Sequence, residues 1–194
     1  FLNNCFSLVK LPDVLDTSSG TNFSQFCAYC YSLQKLPDVL DTSSGTNFSY
    51  FLQNCPAVQK LPDVLDTSSG TNFEFFLNSC RSLLKLPDVL DVSNGTGFKS
   101  CMYQCASLVK LPDVLDVSKG TKFNNFLNGC SKLQVVPEIV MSSNTEVTTS
   151  KYNGAFANDT WLKELYLTLP SNTNFWLDMS TRISIESFRY IADH

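Results

Sequence analysis

One heptapeptide, Lys-Leu-Pro-Asp-Val-Leu-Asp, occurs five times in this chain without a change, and successive copies begin 25 residues apart. The copies begin at Lys10, Lys35, Lys60, Lys85 and Lys110. A fixed period of this length is typical of repeats that stack on one another, because a single short unit cannot bury its apolar face alone. The chain is therefore expected to grow along one axis instead of closing around one compact core.

The repeat is longer than the heptapeptide. A sixth, diverged copy over 135–140 keeps the same spacing, so residues 1–150 divide into six units of 25 residues, which we call coils. We number the positions of each coil from 1 to 25, so that the heptapeptide occupies positions 10 to 16. Position 5 is cysteine in every coil. These residues are Cys5, Cys30, Cys55, Cys80, Cys105 and Cys130.

The first half of each coil has the pattern of a short strand. Leu8 and Leu11 are three residues apart, as in the strand of a leucine-rich repeat, and Pro12 cannot donate a hydrogen bond to a neighbouring strand. The pattern predicts a strand over 7–11 that ends at the proline. Residues 16–20 are turn formers that bend the chain back.

The second half of each coil is predicted to form a short helix or a 3₁₀ turn over 23–29. An apolar face at helical spacing supports this prediction. Where the first coil joins the second, that face comprises Phe23, Phe26, Cys27 and Cys30. Thr71 and Glu74 of a later coil have the spacing of a helix capping box. The predicted fold class is an α/β leucine-rich-repeat solenoid, whose short strands form a parallel sheet.

Stacking should bury the same apolar positions in every coil. In the second coil these are Phe26, Cys30, Leu33, Leu36, Val39, Leu40 and Phe48. Within the first heptapeptide, Leu11, Val14 and Leu15 are assigned to the core. One coil alone buries too little apolar surface to offset the ordering of its backbone, which costs about 1–2 kcal/mol per residue. The array therefore requires stacked neighbours and a cap at its ends.

Residues 151–194 are expected to be a final irregular repeat that caps the array. A leucine-rich strand pattern lies within 155–170, after a coil that is longer by a few residues, and 175–179 offers another strand. Ser184 is a suitable N-cap for a terminal helix that includes Phe188. At the other end the chain opens within a repeat, which predicts that it is a fragment of a longer chain.

The first two coils have an aromatic residue, a cysteine, Ser-Leu, a short strand ending in proline, then Asp-Thr-Ser and Thr-Asn-Phe, and the later coils keep most of this order. This order resembles the bacterial BspA-like leucine-rich repeats, in which Met often stands at the last position. The resemblance covers nearly all of residues 1–170, and 184–194 resembles the family's terminal helix. Gly20 stands where the family often has an apolar residue, which predicts a different corner. The resemblance implies a surface-exposed protein of bacteria, protozoa or phages used for adhesion or recognition, and no catalytic residues.

Composition and charge argue against several classes of function. The net charge is −4 and no basic run is present to follow a phosphate backbone, so nucleic acid is not an expected partner. No apolar stretch approaches the roughly 20 residues that cross a bilayer, so no membrane span is expected. The only histidine is His194, so a serine or cysteine nucleophile lacks its commonest base. We expect neither an enzyme nor a cofactor.

The cysteines and aspartates invite a metal site. The chain holds eight cysteines, of which Cys27 and Cys30 form a C-x-x-C pair, but a second pair at the spacing of a zinc site is absent. Buried free thiols that donate weakly to backbone carbonyls are the favoured interpretation.

Aspartates repeat at positions 13 and 16, and ladders of carboxylates can bind calcium. Alternatively, Asp16 and its equivalents cap their own turns, while the lysines at position 10 reduce the repulsion among the carboxylates at position 13. The sequence favours this second interpretation, without a metal, but does not decide against calcium.

The best candidates for binding are positions that vary while the scaffold repeats. Positions 9 and 6 flank a leucine of the predicted strand, which places them on or beside the concave surface that curved solenoids use for partners. The lysine at position 10 is a further candidate contact. The predicted ligand-binding residues are Val9, Gln34, Gln59, Leu84, Val109, Gln134, Phe6, Tyr31, Arg81, Lys10, Lys35, Lys60, Lys85 and Lys110.

The predicted function is non-enzymatic recognition or adhesion by a bacterial cell-surface protein. Its expected partner is a protein or a glycan on a host or neighbouring cell, and its expected location is extracellular or at the cell surface. One alternative is a structural spacer, or a phage virion or tail component, whose binding chemistry lies elsewhere. Relaxed selection on an exposed face explains the variable columns equally well.

Overall fold

The computed structural model describes residues 1–140, residue 155, and residues 164–169 and 187–192. In the first five coils, residues that are 25 apart in the sequence pair in parallel across neighbouring coils. The pairs fall in three columns, at position 10, at positions 14 and 15, and at position 22. The period of the sequence is thus the period of backbone pairing.

The strands are short in the early coils and longer after them. β1 (Val39–Leu40) and β2 (Val64–Leu65) form a two-stranded parallel sheet in which Val39 pairs with Val64. A second, four-stranded parallel sheet follows chain order and comprises β3 (Val114–Asp116), β4 (Val135–Val140), β5 (Glu164–Leu169) and β6 (Ser187–Ala192). Within each sheet, every strand therefore lies beside the strand that follows it in the chain, whereas β2 and β3 belong to different sheets.

The strands lie later in the coil than the sequence predicts. The predicted strand over 7–11 forms only an isolated bridge, at Lys10. In the second coil, β1 begins two residues after Pro37, and β2 and β3 follow their prolines in the same way. Because proline has no N–H to donate, it separates the bridge at position 10 from the strand at position 14.

No helix forms in the part of the chain that the structure describes. The segment 23–29 is a run of turns, in which the Phe26 N–H donates to the Phe23 carbonyl at 3.2 Å. Gln25 and Tyr29 have φ angles of 53° and 60°. These angles are outside the right-handed helical region, so the helix predicted here is wrong and only tight turns remain.

Hydrogen bonds between coils account for this backbone conformation. The Gln25 N–H donates to the Ser49 carbonyl at 2.9 Å, and the Cys27 N–H donates to the Phe51 carbonyl at 3.0 Å. Alternate N–H groups of the turn segment therefore donate to carbonyls of the next coil. In a helix, the same N–H groups would donate along the helix axis. The left-handed conformation costs about 1–2 kcal/mol per residue, which these bonds offset.

The capping box predicted at Thr71 and Glu74 is also wrong. The Thr71 hydroxyl donates to the Thr46 carbonyl at 3.1 Å. The Glu74 N–H donates to Asn72 Oδ1 at 3.0 Å. Both groups are thus used for coil stacking and for a local turn.

Two phenylalanine ladders occupy the centre of the stack. The first comprises Phe23, Phe48, Phe73, Phe98 and Phe123, and the second includes Phe26, Phe51 and Phe76. Ring centroids of successive members of the first ladder are 5.5–5.7 Å apart. A Cβ added to Gly45 would lie 2.7 Å from both Phe23 and Phe48. Glycine therefore occupies position 20 because the rings of two coils leave no space there for a Cβ atom.

The core prediction is confirmed for all columns except position 14. The buried residues of the second coil are Phe26, Cys30, Leu33, Leu36, Leu40 and Phe48. By contrast, Val39 is 61% exposed and Val14 is 88% exposed, so their assignment to the core is wrong. Neighbouring side chains of a strand point to opposite sides, and because Leu40 points inward, Val39 points outward.

The sixth copy of the repeat pairs out of register with the others. Val114 pairs with Glu138, whereas the 25-residue period predicts Ile139. β4 contains Pro137, and its pairing with β5 shifts between Val136 and Glu138. A proline inside a strand cannot complete the ladder and favours such an irregularity.

The last described strands add two further rungs to the second sheet. The leucine-rich pattern of 155–170 forms β5, as predicted. Residues 187–192 form β6 and pair in parallel with β5, so the terminal helix predicted there is wrong. A partner strand satisfies the backbone of this short segment better than an isolated helix of the same length would. Ser184 and 175–179 lie outside the described residues.

The stacked coils are thus observed in the described part of the chain. Assignment to the α/β leucine-rich-repeat class, with a short helix or 3₁₀ turn in each coil, stays a prediction. The division into repeats over 1–150 and a cap over 151–194 stays a prediction as well.

Candidate functional site

Exposed apolar side chains are confined to three columns of the coils. Apart from Phe1, every large apolar side chain that is exposed in the described residues lies at position 6, 9 or 14. At position 14 these are Val14, Val39, Val64, Val89 and Val114. At positions 6 and 9 they are Phe6, Tyr31, Val9, Leu84 and Val109. Contiguous exposed apolar surface, unlike scattered single residues, marks sites of interaction.

Charged residues lie between the apolar columns at positions 9 and 14. We call the surface formed by positions 9, 10, 13 and 14 the heptapeptide face. In the second, third and fifth coils its lysine and aspartate pair within the coil. Lys35 Nζ lies 3.8 Å from an Asp38 carboxylate oxygen, and Lys60 Nζ lies 2.8 Å from an Asp63 carboxylate oxygen. The equivalent distance from Lys110 to Asp113 is 3.0 Å. Each of the first five coils thus presents, in order, a variable residue, a cation, an anion and a valine.

The pairing of these charges shifts their pKa values in the expected directions. The hydrogen bond to Asp63 raises the pKa of Lys60, and the same bond lowers the pKa of Asp63. The Asp113 carboxylate likewise raises the pKa of Lys110. Because these groups are exposed, solvent screens their attraction, and the pairs contribute little to the stability of the fold.

The structure places all of the predicted ligand-binding residues at the surface. The columns at positions 9 and 10 lie on the heptapeptide face, whereas position 6 lies at the corner that precedes it. There the rings of Phe6 and Tyr31 stack, with centroids 5.3 Å apart. Arg81 instead donates to Gln104 Oε1 on the next coil at 3.1 Å. Position 6 therefore contributes an aromatic patch in the first two coils and a polar contact in the fourth.

The heptapeptide face is interrupted at the fourth coil. Val89 and Leu90 form no strand, although their equivalents in the second, third and fifth coils do. A cavity of about 330 Å³ opens between the third and fourth coils, lined by residues 60–63 and 85–89. Its walls combine lysine, aspartate, proline and leucine, and its volume is near the lower end of the roughly 300–1,000 Å³ of ligand pockets.

Position 14 is the part of this surface that the sequence prediction missed. Valine at position 14 is followed by leucine at position 15, and both were assigned to the core because both are apolar. Adjacent residues of a strand cannot both point inward. The rule applies to Val39 and Leu40 only once β1 is located after the proline, whereas the sequence places the strand before it.

The second aspartate column has a structural role. Asp16 Oδ1 accepts hydrogen bonds from the Ser18 N–H at 3.1 Å and from the Ser18 hydroxyl at 2.7 Å. These bonds lower the pKa of Asp16. The same turn recurs at Asp41, Asp66 and Asp91, so the predicted capping role is confirmed. Among the described residues, no group of three or more His, Cys, Asp or Glu is placed to hold a metal ion.

The cysteines at position 5 form a ladder of free thiols. All eight cysteines of the chain are free, and Cys5 is the one that is not fully buried. The Cys55 thiol donates to the Cys27 carbonyl at 2.9 Å, and the Cys80 thiol donates to the Leu52 carbonyl at 3.2 Å. Burial raises the pKa of Cys55 to about 12. The prediction of buried thiols is confirmed, and thiols in this state are poor nucleophiles.

Comparison with known proteins adds no relative. No protein-family model matches the chain, and neither a curated protein nor a solved structure matches it. In the described coils and strands, no helix is long and apolar enough to cross a membrane. The likeness to BspA-like leucine-rich repeats therefore rests on the residues of the repeat.

Proposed function

We propose that this chain is a leucine-rich-repeat solenoid that acts as a non-enzymatic recognition or adhesion module of a bacterial cell-surface protein. The supporting observation is that, Phe1 apart, the exposed large apolar side chains of the described residues lie only at positions 6, 9 and 14. The same coils bury their other apolar columns almost completely. A binding role explains why these three columns stay apolar in contact with water.

The chemistry of the heptapeptide face suits a macromolecular partner. Apolar columns provide area to bury on contact, while the alternating lysines and aspartates set the orientation of a charged partner. The partner in this proposal is a protein or a glycan on a host or neighbouring cell. No catalytic step is part of the proposal, because the free cysteines other than Cys5 are buried and the ion pairs of the heptapeptide face are exposed.

A variant of the exposed columns tests this function. The face variant carries Phe6→Ser, Val9→Ser, Tyr31→Ser, Leu84→Ser and Val109→Ser. Each replaced side chain is at least 44% exposed, so we expect folding to change by only about 0.5 kcal/mol per site. Binding of the labelled chain to cultured epithelial cells, matrix proteins and a glycan array should fall at least about tenfold, equivalent to about 1.4 kcal/mol.

The matched control carries Lys99→Ser and Lys119→Ser, which are exposed but lie outside the heptapeptide face. The control should bind as the unchanged chain does, and circular dichroism should be the same for all three proteins. If the face variant binds as strongly as the unchanged chain, the recognition proposal fails. That result favours the structural-spacer or virion alternative.

A further inference from the structure

We propose that the heptapeptide face pairs with a second copy of this chain, with the two arrays side by side and running in the same direction. This inference rests on the proposed recognition function, since it names the partner of the same surface. It is based on the order of residues across each coil, on their period along the stack, and on the charges of positions 10 and 13.

The period of the stack favours a partner with the same period. Neighbouring parallel strands are about 4.7–4.9 Å apart, and each coil adds one more identical lysine and aspartate to the face. An extended peptide repeats its side chains on one face about every 6.6 Å, and an α-helix turns every 5.4 Å or so. Neither stays in register with five coils. A second copy does, because its coils have the same spacing.

The charges select one direction of pairing. Across each coil the lysine precedes the aspartate, as in Lys60 and Asp63. When two such faces meet with their arrays in the same direction, the lysine column of each lies opposite the aspartate column of the other. In the opposite direction, lysine meets lysine and aspartate meets aspartate. Same-direction pairing is therefore the complementary one, and its two-fold symmetry closes it as a dimer.

The apolar columns match in the same arrangement. Position 14 of one copy lies opposite position 9 of the other. In three coils both residues are apolar, and the facing pairs are Val14 with Val9, Val89 with Leu84, and Val114 with Val109. In the second and third coils a valine faces Gln34 or Gln59, whose long side chains are exposed. The contact thus has apolar flanks on both sides of a charged centre.

The ion pairs within each chain leave hydrogen-bonding capacity for contacts with the second copy. A carboxylate accepts about four hydrogen bonds and an ammonium group donates three. The Lys60 ammonium and the Asp63 carboxylate are more than half exposed in the single chain. Each can therefore keep its partner within the coil and add one across the dimer.

Sedimentation equilibrium of the 194-residue chain tests the proposal with two charge variants. The acidic variant changes the five lysines of position 10 to glutamate. The basic variant changes to lysine the residues Asp13, Asp38, Asp63, Asp88 and Asp113. We expect the unchanged chain to form a dimer, each variant alone to stay monomeric, and an equal mixture of the two variants to form a heterodimer. Raising the salt concentration from about 50 to 500 mM should weaken the dimer at least about tenfold.

A disulfide experiment tests the direction of pairing. A mixture of Val89→Cys chains and Leu84→Cys chains should form an interchain disulfide under a mild oxidant, because those residues face each other in the same-direction dimer. A mixture of Val89→Cys and Val9→Cys chains is the control and should not, since three coils separate them along the stack. Equal crosslinking in both mixtures would overturn the proposed register.

Two further results separate this inference from the proposed function. A control with Lys99→Glu and Lys119→Glu, outside the face, should dimerise as the unchanged chain does. The inference is overturned if the unchanged chain is monomeric up to about 1 mM, which corresponds to about −4 kcal/mol, or if the charge variants do not associate when mixed. A monomeric chain that still binds cells through positions 6 and 9 would leave the recognition function standing without the dimer.

Discussion

Two parts of each coil repeat with little change, and burial explains only one of them. The turn segment and the cysteine position that follows it hold the phenylalanine and cysteine ladders. In these ladders Phe48, Phe73 and Cys55 have no exposed surface. The heptapeptide repeats even more strictly, yet its lysine, both aspartates of most coils and its valine are exposed. Identity among repeats therefore does not distinguish core from surface, whereas the direction of each side chain does.

The difference between the two parts is one of geometry. In the turn segment, left-handed residues and bonds between coils bring the rings together in the centre. In the heptapeptide, proline interrupts pairing and a two-residue strand directs valine outward and leucine inward. Perturbing the first part should cost stability, and perturbing the outward positions of the second should change binding.

The largest effect is expected in the phenylalanine ladder. Phe73 is fully buried, and its ring stacks on those of Phe48 and Phe98 at 5.6 and 5.7 Å. Phe73→Ala should lower the free energy of unfolding by about 3–5 kcal/mol, because it leaves a cavity between coils. Urea unfolding followed by circular dichroism measures this. Tyr31→Ala, an exposed aromatic control, should cost less than about 1 kcal/mol; equal costs would contradict the comparison.

The next effect is expected at the glycine corner. Gly45→Ala places a methyl group 2.7 Å from two rings of the ladder, so it should destabilise the chain by about 1–3 kcal/mol through overpacking. Gly97→Ala is the matched control, since its added Cβ meets the flexible Glu74 side chain at 3.1 Å. The same urea titration compares them. A Gly97→Ala chain as unstable as the Gly45→Ala chain would show that the ring contact is not the cause.

A smaller effect on the free energy of unfolding is expected from raising the pH, because burial raises the pKa of the thiols. Burial raises the pKa of Cys55 from 9.0 to about 12, so the folded state keeps its proton where the unfolded state loses it. The stability this provides is complete below pH 9 and is lost as the pH rises toward 12, by at most about 1.4 kcal/mol per pH unit. Urea unfolding at pH 8 and pH 10 should show the loss, and Cys55→Ala should reduce it. An unfolding free energy that does not fall with pH would contradict the burial of the thiols.

Much of the stack can be predicted from the sequence, because it follows from local chemistry. The 25-residue period, the buried thiols and the turn at Asp16 each depend on residues close in the chain or on an identical residue one coil away. The candidate binding columns were also predicted to be exposed, because they vary among the coils while the scaffold repeats.

The errors arise where contacts between coils outweigh local preference. Gln25 and Tyr29 adopt left-handed conformations without being glycine, because the next coil accepts their N–H groups. Residues 187–192 have a helical pattern of apolar residues but pair with β5. The outward direction of Val39 depends on where β1 begins, which the apolar character of the segment does not reveal.

Each heptapeptide directs one apolar side chain toward solvent and the next toward the core. Val64 and Leu65 are adjacent in β2, yet Val64 is 55% exposed and Leu65 is 5% exposed. The most direct test compares Val64→Ala with Leu65→Ala in the same urea titration. Leu65→Ala should cost about 2–5 kcal/mol, and Val64→Ala should change stability by no more than about 0.5 kcal/mol. Equal losses in both variants would place both side chains in the core and contradict the account.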